Sequence, residues 1–230
     1  MAAFETTLMA GSFVFGLSHA FEVDHMTAVS AFVATKPRPR AAAAFGAKWA
    51  IGHGISLLIF GSVLFALKIV VSPSVAAIFE RLVGVALLAL GVWTLYQLRR
   101  QLPEQSHHHH LLHSHVAGHE HGSVFRHGYR VHHHHGHGEH RHDGPIWMGV
   151  LHGIAGTAAF AGQAIVVASQ SYFFVVLYTL VFSAGVLISM AAFAGVMGAV
   201  LRRAGRSVQV AMALWACAVG IVWLLGFGAG

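Results

Sequence analysis

Residues 15–25 read FGLSHAFEVDH. The stretches on either side, LMAGSFV and MTAVSAFVAT, have the character of an oily helix. An Asp at the centre of a spanning helix costs roughly 2.5–3.5 kcal/mol on insertion scales. Two histidines, a glutamate and an aspartate in such a place need a reason. The rest of the chain confirms how apolar the setting is. Of its 230 residues, 56% are hydrophobic and only 10% are charged, and the mean hydropathy is +0.66. A domain covered by water needs far more charge than that.

Roughly 20 apolar residues cross a bilayer as a helix, and six runs qualify. They lie near 4–31, 42–70, 74–98, 146–168, 172–200 and 207–228. The expected fold is therefore all-α, a polytopic membrane protein with six transmembrane helices. Residues 1–98 and 146–230 would form two three-helix halves joined by a loop at 99–145. Several runs exceed the minimum length, which predicts tilt or breaks, above all in the first, second and fifth. The first run lacks the basic start of a cleaved signal peptide and reads as a retained helix. Cys217 is the single cysteine and reads as a small apolar packing residue.

Basic residues predict the orientation. The connections after spans 1, 3 and 5 carry Lys36, Arg38, Arg40, Arg99, Arg100, Arg126, Arg130, Arg141, Arg202, Arg203 and Arg206. The opposite side has Lys68 and Arg81, and Lys48 snorkels from the start of span 2. Both termini should face outward and the long loop should be cytoplasmic. The net charge of +6 then reflects topology, with lipid rather than nucleic acid as the partner.

The halves echo each other weakly. FGLSHA at 15–20 aligns with MGVLHG at 148–153, matching Gly16 to Gly149 and His19 to His152, an offset of 133. GHGISL at 52–57 can be laid on SAGVLI at 183–188 at nearly the same offset. An odd number of spans per half would make this an inverted repeat, an arrangement that places substrate sites near the midplane of transporters. Chance similarity between Gly- and Ala-rich helices is the plain alternative. Gly149 and Gly153, with Ala191, Ala194, Gly195 and Gly198, permit close helix contact. Trp49, Trp93 and Trp147 lie near span ends, where interfacial anchors are expected.

Glu22 and Asp24 are the acids well inside a span, with His19 and His25 beside them and His53 and His152 inside spans 2 and 4. Clustered, these side chains offer nitrogen and oxygen ligands suited to Ni²⁺, Co²⁺ or Zn²⁺. A hydrogen-bonded interhelical contact or a proton relay would use the same residues. At about 100° per residue, His19, Glu22 and His25 share one arc, while Asp24 falls about 100° beyond His25. Either one carboxylate orients a histidine instead of binding metal, or the helix is bent or unwound here. The favoured metal set is His19, Asp24, His25 and His53, with Glu22 as support or ligand and His152 as a further candidate.

HAFEVDH at 19–25 resembles the His-x4-Asp-His signature of the nickel/cobalt transporter family, with Glu22 where that family commonly has Asp. AIGHGISL at 50–57 resembles its Gly-His motif. LHGIAGTAA at 151–159 and FSAGVLISMAA at 182–192 are similar to the six-helix urease-associated nickel permeases. The resemblance implies that His19, Asp24 and His25 bind metal with help from His53, and that Ni²⁺ or Co²⁺ is the transported substrate.

Residues 107–142 hold sixteen of the twenty histidines. Such a segment, rich in Gly and poor in apolar residues, predicts a flexible, solvated loop. Its neutral imidazoles would concentrate, buffer, sense or deliver metal, or report pH. No nucleotide-binding glycine loop is present, so the membrane potential or a proton gradient would drive transport, unless separate energising subunits do. A cytoplasmic metallochaperone is a further candidate partner, and no organic cofactor is expected. The expected function is transport of nickel or cobalt, uptake rather than efflux, by a protein that is not an enzyme. A membrane metalloenzyme needs several fixed motifs with open coordination positions, whereas the fixed ligands here are few and deep. A metal sensor is the remaining alternative.

Overall fold

The turn in FGLSHAFEVDH divides the first expected span. In the computed structural model, which describes residues 2–68, 72–101, 144–155 and 171–226, α1 (Ala2–His19) stops at His19 and α2 (Val23–Thr35) starts after Glu22. No proline or glycine causes this break. The Phe21 and Glu22 N–H groups instead donate to the Ser18 and His19 carbonyls, at 2.9 and 3.0 Å. These tighter bonds close the last turn of α1. Glu22 then takes an extended conformation (ψ 148°), and its carbonyl accepts from the Met26 N–H to begin α2. The interrupted helix, one of the two arrangements that the helical arc leaves open, is present.

Five more helices follow: α3 (Pro39–Leu67), α4 (Pro73–Arg100), α5 (Gly144–Ala155), α6 (Tyr172–Arg203) and α7 (Arg206–Leu224). Prolines near the starts of α3 and α4 sit where a missing N–H costs nothing. Ser72 caps α4 by accepting from the Val75 N–H. The fold is all-helical, with no strand among the described residues. Of the seven helices among the described residues, α3, α4, α6 and α7 are long and apolar enough to cross a membrane. The second and fifth expected spans run unbroken as α3 and α6. The fourth is described to Ala155 only; its remainder and the histidine-rich loop lie outside the described residues.

The helices of both sequence halves belong to one compact unit. Within it α3 packs on α5 and α6, α1 on α6, and α4 on α7, while α2 lies against α4, α6 and α7. Thr94 Oγ1 donates to the Ala31 carbonyl (3.1 Å) and Trp215 Nε1 to Thr27 Oγ1 (3.1 Å), tying α2 to α4 and α7.

Glycine sets the closest approaches. Gly16 lies against the Phe182 carbonyl, and Gly149 against the Trp49 carbonyl. Gly185 meets the Phe13 carbonyl, and Gly52 the Ile146 carbonyl. A side chain at any of the four would overlap backbone. A single shift of 133 residues relates these contacts: it carries 16 to 149, 49 to 182, 13 to 146 and 52 to 185. The same shift carries Gly84 to Cys217 and Gly91 to Leu224, and the structure pairs Gly84 with Leu224 and Gly91 with Cys217. Cys217 is thus a packing residue against a glycine.

Trp49 departs from expectation. It is fully buried, because α3 begins at Pro39 and places position 49 nearly three turns into the helix, facing α5. It is no interfacial anchor. Trp93 and Trp147 are exposed.

Gly16→Ala and Gly149→Ala should each destabilise the protein by about 1–3 kcal/mol, the usual cost of overpacking. Gly11, where an added methyl group would meet nothing within 4 Å, should tolerate Ala or gain from it. Thermal unfolding of the three variants in detergent checks this ordering.

Candidate metal centre

Four helices supply the site. His19 ends α1, Glu22 caps α2, Asp24 and His25 occupy its first turn, His53 lies mid-way along α3, and His152 lies on α5. The break leaves His19, Asp24 and His25 buried and Glu22 partly exposed. His19, His25, His53 and His152 are all at most 1% exposed, and Asp24 is 5% exposed. Their imidazoles cluster: ring centroids are 4.7 Å apart for His19 and His25, 5.2 Å for His19 and His53, 5.3 Å for His25 and His53, and 5.2 Å for His25 and His152.

Each of the two acids holds a histidine. His19 Nδ1 donates to Glu22 Oε1 (2.7 Å), and His25 Nδ1 donates to Asp24 Oδ1 (3.1 Å). An ionised carboxylate only accepts, so the proton of each ring is fixed at Nδ1. Both Nε2 atoms are left with an outward lone pair. Neither has a hydrogen-bond partner among the described residues, and neither nitrogen of His53 has one. Leaving a buried polar atom unmet costs about 1–3 kcal/mol, and here such atoms belong to three neighbouring rings. A carboxylate behind an imidazole is the usual arrangement for a metal ligand, since it fixes the ring and raises its basicity.

One nitrogen from each of His19, His25 and His53 lies within 4.8 Å of the others. An ion about 2.0–2.1 Å from each imidazole nitrogen spaces its ligands by about 3–4 Å, so modest closure seats one ion. A second group, Glu22, Asp24 and His25, meets the same 4.8 Å criterion. The structure therefore brings together His19, His25 and His53, and places Glu22 and Asp24 behind two of them. Asp24 reaches both ways: its Oδ2 is 3.5 Å from His152 Nε2, too long for a hydrogen bond.

Two aromatic neighbours are not evident from the sequence. The Phe182 ring packs on His19 at 5.2 Å and the Trp49 ring on His152 at 5.0 Å. The shift of 133 that relates His19 to His152 relates these partners too. That regularity is the signal that would have found them. Ser56 Oγ donates to the His53 carbonyl (2.8 Å), one turn along α3.

No protein-family model matches the chain, and no solved structure matches it significantly. A curated relative does. Over 209 residues the chain is 27% identical to the urease accessory protein UreH of Bacillus sp. (strain TB-90), a match that covers 89% of this chain and 82% of the relative.

An ion bound at this cluster should stabilise the folded protein by about 2.7 kcal/mol at a hundredfold excess over its Kd. Ni²⁺ or Co²⁺ should then raise the Tm. His53→Ala should remove that rise while costing no hydrogen bond, because neither ring nitrogen of His53 has a partner among the described residues. Gly11→Ala should keep it. Thermal unfolding with and without metal checks both variants.

Proposed function

We propose that the protein is a membrane permease for divalent nickel or cobalt, working in the uptake direction, and not an enzyme. One observation carries this reading. Three buried imidazoles on three helices each bring a nitrogen within 4.8 Å of the other two, each ring keeps a nitrogen with no hydrogen-bond partner among the described residues, and carboxylates bond two of the rings. Such a site replaces the hydration shell of a borderline-soft divalent cation at a depth where isolated polar groups are expensive.

His19, His25 and His53 are the metal-binding residues in this reading, with Glu22 and Asp24 orienting them and reaching the ion in passing. His152 extends the site through Asp24. The description of the relative as a urease accessory protein fits the urease-associated nickel permeases that LHGIAGTAA and FSAGVLISMAA resemble. It supports nickel over cobalt and uptake over efflux.

The contacts related by a shift of 133 residues support an inverted repeat in a six-span fold. Helices α1 and α6 meet as α5 and α3 do, and α4 meets α7 in a manner unchanged when the halves are exchanged. Rocking of one half against the other would expose the ion to each side in turn. The excess of Lys and Arg in the connections after spans 1, 3 and 5 supports outward termini and a cytoplasmic histidine-rich loop, which would collect metal at the inner mouth and pass it to a metallochaperone. The membrane potential or a proton gradient supplies the driving force.

Cells expressing the protein should accumulate more radiolabelled Ni²⁺ than cells without it. His19→Ala, His25→Ala and His53→Ala should each reduce that accumulation to background while the protein still reaches the membrane. Lower nickel content on expression would reverse the direction, and normal uptake by all three variants would remove the site.

A further inference from the structure

The cluster holds two different sets of ligands. His19, His25 and His53 offer nitrogen only and are fully buried. Glu22, Asp24 and His25 offer two carboxylates and one imidazole, and Glu22 is 38% exposed along its side chain. His25 belongs to both sets. An exposed carboxylate at bilayer depth is tolerated where it faces water rather than lipid. The break at 20–22 that carries Glu22 is also where irregular backbone meets the surface, with Phe21 and Val23 exposed on either side. Interrupted helices of this kind are tolerated where they line a water-filled cavity.

A second observation points the same way. His152 Nε2 is buried and has no hydrogen-bond partner among the described residues, yet it faces Asp24 Oδ2 at 3.5 Å. That separation is too long for a hydrogen bond, but it is about what two neighbouring ligands span across one ion at roughly tetrahedral angle and 2.0–2.2 Å bond lengths.

We propose that the permeation path contains two adjoining ion positions: an access position formed by Glu22, Asp24 and His25 with His152 facing Asp24, and a selective position formed by His19, His25 and His53. The inference rests on the permease reading and adds an order of events to it. Carboxylate oxygens accept hard and borderline divalent cations alike. The access position therefore draws in and partly dehydrates any of them. The all-imidazole position favours Ni²⁺ and Co²⁺ and turns Mn²⁺ back. His25 hands the ion on by keeping contact through the transfer, so the ion is never without a protein ligand between the two positions.

The experiment uses the purified full-length protein in liposomes, with Ni²⁺ as the transported ion and Mn²⁺ as the hard competitor. In the wild type, Mn²⁺ should raise the KM for Ni²⁺ without being transported itself. Glu22→Gln should raise the KM for Ni²⁺ by at least about tenfold, with the effect falling on KM rather than kcat, and should abolish the competition by Mn²⁺. The glutamine amide oxygen still accepts from His19 Nδ1; a residue that merely held His19 would shift the KM for Ni²⁺ through a less basic ring but would leave the competition by Mn²⁺ intact. Retained Mn²⁺ competition in Glu22→Gln overturns the access position. Transport of Mn²⁺ by the wild type overturns the division of labour. Absence of Ni²⁺ flux in the wild type sinks the permease reading itself, an outcome distinct from the other two.

Discussion

Imidazole lone pairs that nothing else in the described protein satisfies are the constraint around which this fold is arranged. Burying them without partners works against stability. The chain nevertheless positions three such rings from three helices and commits two carboxylates to fixing their tautomers. Each carboxylate is bonded to the ring it orients. The interrupted first span follows from the same demand. A continuous helix would hold His19 and Glu22 in one fixed register with Asp24 and His25; the turn at 20–22 releases that register, and each acid bonds a histidine.

Close helix contact makes this geometry rigid enough to matter. Backbone-to-backbone approaches at Gly16, Gly52, Gly149 and Gly185 bring α1, α3, α5 and α6 nearer than side chains would permit, and the rings occupy the space between. The halves are alike in packing but not in chemistry. The shift that carries His19 to His152 carries Glu22, Asp24 and His25 to Ala155, Thr157 and Ala158. Among the described residues the second half contributes one histidine, His152, which faces Asp24 of the first. Near-symmetric scaffolding therefore supports a one-sided site.

The all-helical class and the clustering of His19, Glu22, Asp24, His25 and His53 are legible in the sequence, because polar residues stand out against an apolar background. The break is legible only as one of two choices. Its position follows from turn bonds to the Ser18 and His19 carbonyls, in a stretch with neither proline nor glycine to mark it. Trp49 reads wrongly as an anchor because tryptophan near a span end usually is one; α3 starts earlier than hydropathy suggests, and the residue turns inward. The partner roles of Phe182 and Trp49 depend on which helices touch. A weak repeat hints at that, but composition does not.

The burial of Trp49 has an optical consequence. Its indole lies edge-on to His152, 5.0 Å between centroids, and His152 in turn lies 5.2 Å from His25. A chromophore thus sits within a few ångströms of the rings, shielded from solvent quenchers. An open-shell ion such as Ni²⁺ or Co²⁺ drains energy from a nearby excited indole, whereas closed-shell Zn²⁺ lacks the electronic states to do so. On the proposed reading, the protein's own emission would distinguish occupancy by these cations without an added label.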